Sequence, residues 1–178
     1  MEYIMDFFIL GVIYFTFFFK GWRRKSKDKF LVFNLLYLYI CFVLFVTLMP
    51  FRLPIPGIMG TNNLFLQTIN CIPFHDLLQN RGNAFREIVL NVIMMMPFGF
   101  LLPLVKKRNV FSIAAWAFLF SLSIETMQLL YVWAGGHASR AFDVTDLITN
   151  TFGGIIGYGL YLAFGPISKK VLEQLKKS

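Results

Sequence analysis

The 178-residue sequence has few charged residues and very little cysteine or histidine. Only nine residues are acidic; the two cysteines are 30 residues apart, with no C-x-x-C pair, and the two histidines are 62 residues apart. A structural zinc site needs about four such ligands at short spacing, so we expect no metal site of that kind and no cofactor. Cys41 lies in a predicted span and Cys71 in a loop, so we expect no disulfide between them.

The sequence also lacks the patterns that would assign a reaction or another fold class. We find no Ser-His-Asp arrangement, phosphate-binding loop or thiolate site. Strand-like alternation is absent, which disfavours a β-barrel, and so are the internal repeats on which many transporters are built. The net charge of +8 is accompanied by no nucleic-acid recognition motif, so we expect no nucleic-acid partner.

Apolar side chains are abundant, since 57% of the residues are hydrophobic and 18% are aromatic. Five apolar runs are long enough to cross about 30 Å of hydrocarbon as helices. They cover approximately residues 3–19, 30–49, 88–105, 110–133 and 144–164. The sequence therefore predicts an all-α, polytopic membrane helix bundle with about five transmembrane helices, forming a single domain over residues 1–178.

The basic residues are unevenly distributed between the two sides of the predicted bundle. Thirteen of the seventeen Lys and Arg residues follow the first, third or fifth span. The other four, on the opposite side, are Arg52, Arg81, Arg86 and Arg140. The positive-inside rule therefore predicts an N-terminus outside and a C-terminus in the cytoplasm.

The loop between the second and third spans, residues 50–87, is too apolar to be a simple tether. It begins with a turn-rich segment, and residues 70–78 place Phe74 and Leu77 among polar side chains. We predict an interfacial or shallow re-entrant segment over the outer end of the bundle. This segment either packs as a structural lid or also covers a polar cavity.

Polar side chains recur at helical spacing within this apolar sequence. Glu125 and Gln128 lie one turn apart in the fourth span, and Asp146 and Asn150 lie one turn apart in the fifth. An ionisable group at membrane depth costs roughly 3 kcal/mol on insertion scales, so it needs a partner, a water-filled cavity or a function. We expect Arg140, in the short loop between these spans, to be the counter-charge of Glu125 or Asp146.

Local structural roles compete with functional roles at three other features. Asp143 directly precedes the fifth span, where its carboxylate would cap the helix and Asp146 would suit the third position. Gly153 and Gly157 form a G-x-x-x-G pair, which we expect to hold the fifth span against the fourth. In the third span, Pro97 either kinks the helix and opens space for a cavity or is satisfied by a neighbouring helix.

Several sequence blocks together resemble the VanZ-like family of bacterial membrane proteins. The blocks are NCIPF at 70–74, Asn91 with PFG at 97–99, SIETMQ at 123–128, RAFDVTD at 140–146 and NTFGG at 150–154. The resemblance covers roughly residues 70–157, and we take about 70–160 as the family-like core. The first two spans resemble the family only in hydropathy.

This resemblance implies an association with resistance to lipoglycopeptide antibiotics of the teicoplanin type, by a route other than changing the D-Ala-D-Ala target. It also implies a multi-pass protein of the bacterial cytoplasmic membrane. It does not supply a reaction, so the mechanism is left to the residues themselves.

The hypothesis that we favour is that a polar cavity at the extracytoplasmic face binds an amphiphile from the surrounding membrane lipid. The amphiphile would be the antibiotic or a lipid-linked cell-wall precursor, with Arg140 pairing with a phosphate or carboxylate. The predicted ligand-binding residues are Asn70, Phe74, Asn91, Glu125, Gln128, Arg140, Asp143, Asp146 and Asn150.

Two other hypotheses use the same residues. In one, the protein is a membrane enzyme acting on a lipid-linked envelope substrate, with Glu125 and Asp146 as acid–base or cation-binding groups. In the other, the cavity carries a lipid across the membrane, or Glu125 and Arg140 form a buried ion pair that fixes the bundle.

Overall fold

A computed structural model describes residues 2–50, 65–134 and 141–177. Its helices are α1 (Glu2–Ile13), which continues through a π-helical segment (Tyr14–Phe19) into α2 (Lys20–Trp22), then α3 (Lys27–Thr47), α4 (His75–Leu78), α5 (Ala84–Val105), α6 (Val110–Trp133) and α7 (Val144–Lys177). Two two-residue strands, β1 (Ile69–Asn70) and β2 (Phe142–Asp143), and a 3₁₀ turn (Phe65–Thr68) complete the described elements.

Five helical segments are long and apolar enough to cross a membrane. They are Tyr3–Trp22, Lys27–Thr47, Ala84–Val105, Val110–Trp133 and Val144–Ile167. The predicted all-α membrane bundle is therefore confirmed, and the chain is a multi-pass membrane protein. α3 and α5 begin earlier than predicted because polar first turns remain helical, although α3 ends at Thr47, before the predicted end. α7 continues through Pro166 to Lys177.

The bundle has two chemically different ends. Consecutive spans are antiparallel: Tyr3 of α1 meets Phe45 near the end of α3, whereas Trp22 meets Phe33 near its start. We call the end with the starts of α5 and α7 the polar end. The opposite end, which carries the basic turns at residues 20–27 and 106–108, is the basic end.

Glycines bring α5 and α7 into backbone contact at the centre of the bundle. A Cβ on Gly157 would overlap the carbonyl of Met96, and one on Gly153 would overlap that of Val92. Gly99 of α5 faces the backbone of α7 in the same way. Small residues at matching positions allow such close packing in membranes.

The expectation that Gly153 and Gly157 hold α7 against α6 is therefore wrong, because both face α5. The motif removes side chains from one face of α7 but does not say which helix packs against that face. A close approach also needs a small residue on the partner helix, and α5 provides Gly99. The neighbouring Gly154 also faces α6, where an added Cβ would lie 2.6 Å from the Cβ of Ala117.

Pro97 does not interrupt α5, which is a single helix across this residue and Pro103. Pro97 is exposed, while the adjacent Phe98 and Gly99 are buried against the neighbouring helices. This arrangement agrees with a tolerated proline. Phe98 also stacks on Phe120 of α6 with ring centres 5.1 Å apart, which fills the core beside it.

At the polar end, the segment before α5 is joined to the start of α7. Strands β1 and β2 pair in parallel, with Ile69 opposite Phe142 and Asn70 opposite Asp143. The backbone N–H of Ala141 also donates to the carbonyl of Thr68 at 3.0 Å. This pairing, which was not predicted, joins the segment 65–78 to the start of α7, and α4 is its single α-helical turn. That the segment lies at a membrane interface stays a prediction.

Candidate functional site at the polar end

Asp143 links three elements at the polar end. One carboxylate oxygen accepts the backbone N–H of Thr145 at 2.7 Å, which caps α7 as predicted. The other accepts the side-chain amide of Asn70 at 3.0 Å, which ties the carboxylate to β1. Because Asp143 is only 4% exposed, these bonds replace the water that the buried carboxylate has lost.

Glu125 reaches the same residue from α6. Its Oε2 accepts the backbone N–H of Asp143 at 2.8 Å, and the side chain is 3% exposed. Glu125 thus fixes the backbone at the start of α7. Arg140, the predicted counter-charge and ligand residue, lies outside the described residues, so its pairing with Glu125 or Asp146 stays a prediction.

Thr145 was not predicted, although it holds the interfacial segment in place. Its hydroxyl oxygen accepts the backbone N–H of Phe74 at 2.9 Å. Phe74 has a φ of 56°, in the left-handed region that is uncommon for a bulky residue and strained there. The sequence signal for this contact was the Asp-x-Thr spacing at residues 143–145. Hydroxyl side chains in the first turn of a helix often bond to nearby backbone groups.

Asp146 and Asn150 are spaced one helical turn apart on α7, but their side chains form hydrogen bonds with different helices. Asp146 accepts the amide of Asn91 on α5 at 2.7 Å. Asn150, which is 2% exposed, donates to the hydroxyl of Ser121 on α6 at 2.9 Å. Positions four residues apart differ by about 40° around a helix, which is enough for them to meet the two neighbours of α7.

Gln128 is the predicted residue that the structure places apart from the others. Its side-chain amide donates to the carbonyl of Thr47 at 3.1 Å, which joins α6 to the end of α3. Although Gln128 lies one turn from Glu125, its hydrogen bond is to a different helix. Gln128 therefore links two of the spanning helices, α6 and α3.

An acidic cleft opens between α4 and the starts of α5 and α7. Its lining residues are Phe74, Asp76, Leu77, Ala84, Glu87, Ile88, Asp143, Thr145 and Asp146. The interior volume of about 10 Å³ is the space for one water molecule. The cleft can therefore receive a single small polar group of a larger molecule.

Four carboxylates line this cleft, and among the residues that the structure describes no Lys, Arg or His side chain does so. Asp76 and Glu87 were not among the predicted residues; Asp76 lies in the predicted interfacial segment, and Glu87 lies in the first turn of α5. Carboxylate oxygens accept hydrogen bonds, so the cleft suits a group that donates one. In the described part of the chain, no three His, Cys, Asp or Glu side chains are placed to hold a metal ion.

The cleft lining also contains apolar side chains, among them Leu77 and Ile88, and exposed apolar residues lie close to the lining residues in the sequence. Leu78 of α4 is 78% exposed, Phe85 of α5 is 69% exposed, and Ile72 before α4 is 59% exposed. At a membrane interface such side chains contact the upper part of the hydrocarbon.

The predicted residues thus fall into three groups. Phe74, Asp143 and Asp146 line the cleft. Asn70, Asn91, Glu125, Gln128 and Asn150 bond to other protein groups that hold the cleft or the bundle together. Arg140 belongs to neither group because it lies outside the described residues.

Comparison with known proteins gives a consistent result. The model of the VanZ/LLP1 family matches residues 35–165. The chain is also 35% identical to Protein VanZ of Enterococcus faecium over 143 residues, which are 80% of this chain and 78% of that protein. No solved structure matches the chain. The match to the family begins within α3 and includes the whole acidic cleft.

Proposed function

This chain belongs to the VanZ/LLP1 family, and we propose that it protects a bacterium against lipoglycopeptide antibiotics of the teicoplanin type by binding an amphiphile at its polar end. The observation that carries this proposal is the acidic cleft, together with the exposed apolar residues Ile72, Leu78 and Phe85 that lie close to its lining residues in the sequence. The cleft supplies directional polar contacts, and these apolar residues would supply a surface for hydrocarbon.

The hydrogen-bonding character of the cleft favours the antibiotic itself as the ligand. A glycosylated peptide offers amide and hydroxyl donors, one of which the carboxylates of Asp76, Glu87 and Asp146 could accept. A lipid-linked wall precursor presents phosphate, whose oxygens are acceptors and so match carboxylate oxygens less well. The precursor is the alternative ligand, and it would depend on Arg140 as the anion partner.

We place the polar end at the extracytoplasmic face of the bacterial cytoplasmic membrane, on the basis of the distribution of basic residues. In protein whose Cys41 and Cys71 are replaced, a cysteine introduced at His137 is expected to react with an impermeant thiol reagent added to intact cells. A cysteine introduced at Ser26 is expected to be protected. The reverse pattern would put the cleft in the cytoplasm and end this proposal.

Glu125 has a positioning role in this proposal. It does not line the acidic cleft, and its Oε2 accepts the backbone N–H of Asp143. A general acid or base must reach the atoms of its substrate. We expect the ligand to contact Asp76, Glu87 and Asp146 instead, which line the cleft between α4 and the starts of α5 and α7.

The direct test is a titration of the purified protein with teicoplanin, by calorimetry in detergent micelles. Asp76→Asn and Glu87→Gln remove one carboxylate charge each and keep the side-chain shape. We expect each to weaken binding by about tenfold, which corresponds to about 1.4 kcal/mol. Glu173→Gln, an equal charge change on the exposed basic-end part of α7, is the matched control and should bind like the parent.

The same variants are then compared in cells for the teicoplanin concentration that stops growth. Parent protein that protects cells but does not bind the antibiotic would reject direct binding. In that case a phosphate-bearing precursor is titrated with the parent and with Arg140→Ala. Loss of precursor binding in Arg140→Ala would favour the alternative ligand, whereas no binding of either ligand would reject the proposal.

A further inference from the structure

The turn between α5 and α6, at the basic end, has a feature that the proposed function does not use. It carries three consecutive basic residues, of which Lys106 and Lys107 are exposed and Arg108 is partly buried. Exposed lysines are flexible point charges, whereas a partly buried arginine is fixed by its neighbours. Arg108 is therefore the residue of this turn that could form a defined site.

Contacts from two helices hold Arg108 in place. Its Nη1 donates to the hydroxyl of Ser112 at 3.1 Å, and its guanidinium carbon lies 5.2 Å from the ring centre of Trp116. The hydroxyl of Tyr158 on α7 donates to the carbonyl of Arg108 at 3.1 Å. The side chain is thus fixed over an exposed tryptophan, a residue typical of the membrane–water interface.

The guanidinium of Arg108 forms no ion pair with a carboxylate among the side chains that the structure describes. Its Nε is buried and has no hydrogen-bond acceptor in the same part of the chain. A fixed arginine that is partly removed from water gains most from an anion that it can contact directly.

We propose that Arg108 binds the phosphate of one anionic phospholipid. Lys107 adds to the local positive charge, and the acyl chains would lie along α6, where Phe111 and Trp116 are exposed. Basic pockets between transmembrane helices are suited to such head groups. The site is independent of the acidic cleft, because it lies at the opposite end of the bundle.

Tryptophan fluorescence in vesicles tests this site. In protein with Trp22→Phe and Trp133→Phe, Trp116 is the only tryptophan. Phosphatidylglycerol with brominated chains, added as a minor component to phosphatidylcholine vesicles, is expected to quench Trp116 more than brominated phosphatidylcholine does at the same fraction. Arg108→Gln is expected to reduce this preference by at least about tenfold, the scale of one hydrogen bond between charged groups.

The neighbouring lysine provides a matched control. Lys107→Gln removes the same charge one residue away and is expected to keep most of the preference. Equal losses in the two variants would show general surface attraction and overturn the site. Excess glycerol phosphate in solution is expected to leave the quenching unchanged. Loss of quenching in its presence would mean that the site binds a soluble anion and not a lipid.

Arg108→Lys addresses the case in which Arg108→Gln protein does not fold. This variant keeps the charge but loses the planar group that stacks on Trp116 and forms two parallel bonds to phosphate. We expect protein that elutes normally and has lost part of its lipid preference. Full retention of the preference would overturn a specific role for the guanidinium.

Discussion

The two sides of this bundle are held together in different ways. On one side, α5 and α7 meet backbone to backbone at Gly99, Gly153 and Gly157. On the other, α1 meets α3 through side chains, and a mostly apolar groove of about 500 Å³ lies between them. The acidic cleft belongs to the first side, so the candidate site is supported by the closely packed helices.

Polar groups differ in the same direction. Near the acidic cleft, hydrogen bonds link α7 to both of its neighbours, through Asn91 to Asp146 and Asn150 to Ser121. In the groove, the hydroxyls of Tyr37 and Tyr14 donate to α1 and to α3 respectively, and the rest of the wall is mostly apolar. Binding residues need supporting contacts to hold their geometry, and the cleft has them from more elements than the groove.

The largest expected effect comes from breaking the close packing. Gly157→Val would place a branched side chain against the Met96 carbonyl, where even a Cβ overlaps. We expect destabilisation of at least about 3 kcal/mol, the upper end of the usual range for overpacking, and a low yield of monodisperse protein. Thermal unfolding in detergent measures the change.

Gly159→Val is the control for this substitution. It introduces the same side chain in the same helix, two residues away, where a Cβ meets nothing within 4 Å. Its unfolding temperature is expected to stay within a few degrees of the parent. Similar losses in both variants would mean that valine weakens α7 itself and that α5 is not in close contact.

A smaller effect is expected at Glu125. Glu125→Ala leaves the buried backbone N–H of Asp143 without its acceptor, a loss of about 1–3 kcal/mol. Glu125→Gln keeps an oxygen at that position, so its stability and teicoplanin binding should be close to those of the parent. A catalytic carboxylate would instead lose protection by roughly 10²- to 10⁴-fold in Glu125→Gln.

The cellular assay distinguishes these outcomes only if protein amounts are known. Membrane levels of both variants are therefore measured by immunoblotting beside the teicoplanin assay. Normal levels with complete loss of protection in Glu125→Gln would contradict the positioning role and favour chemistry. Reduced levels in Glu125→Ala alone would agree with a structural hydrogen bond to Asp143.

Much of this architecture could be predicted from the sequence because membrane helices leave a strong local signal. Twenty or so apolar residues identify a span wherever it packs, and α6 has the predicted bounds, Val110–Trp133. Asp143 was also predictable as a cap, since a carboxylate before an apolar run is a local pattern. The resemblance to the VanZ-like family is likewise confirmed.

The remaining features depend on which elements meet in space. Two-residue strands such as β1 have no periodicity, so their pairing with β2 cannot be read from the sequence. Gly153 and Gly157 indicated a smooth face but not that α5 packs on it. Asp76 and Glu87 resemble ordinary loop and first-turn acids until the fold brings them beside Asp146.

The smallest predicted effect lies in the loosely packed half. Gly11 lines the groove, and an added Cβ would meet nothing within 4 Å. Gly11→Ala should therefore raise the unfolding free energy by up to about 1 kcal/mol, because alanine restricts the unfolded chain and suits a helix better than glycine. We expect the unfolding temperature, measured by calorimetry, to rise by up to a few degrees. A loss as large as that of Gly157→Val would show that α1 packs as closely as α7, and the contrast between the two halves would then be wrong.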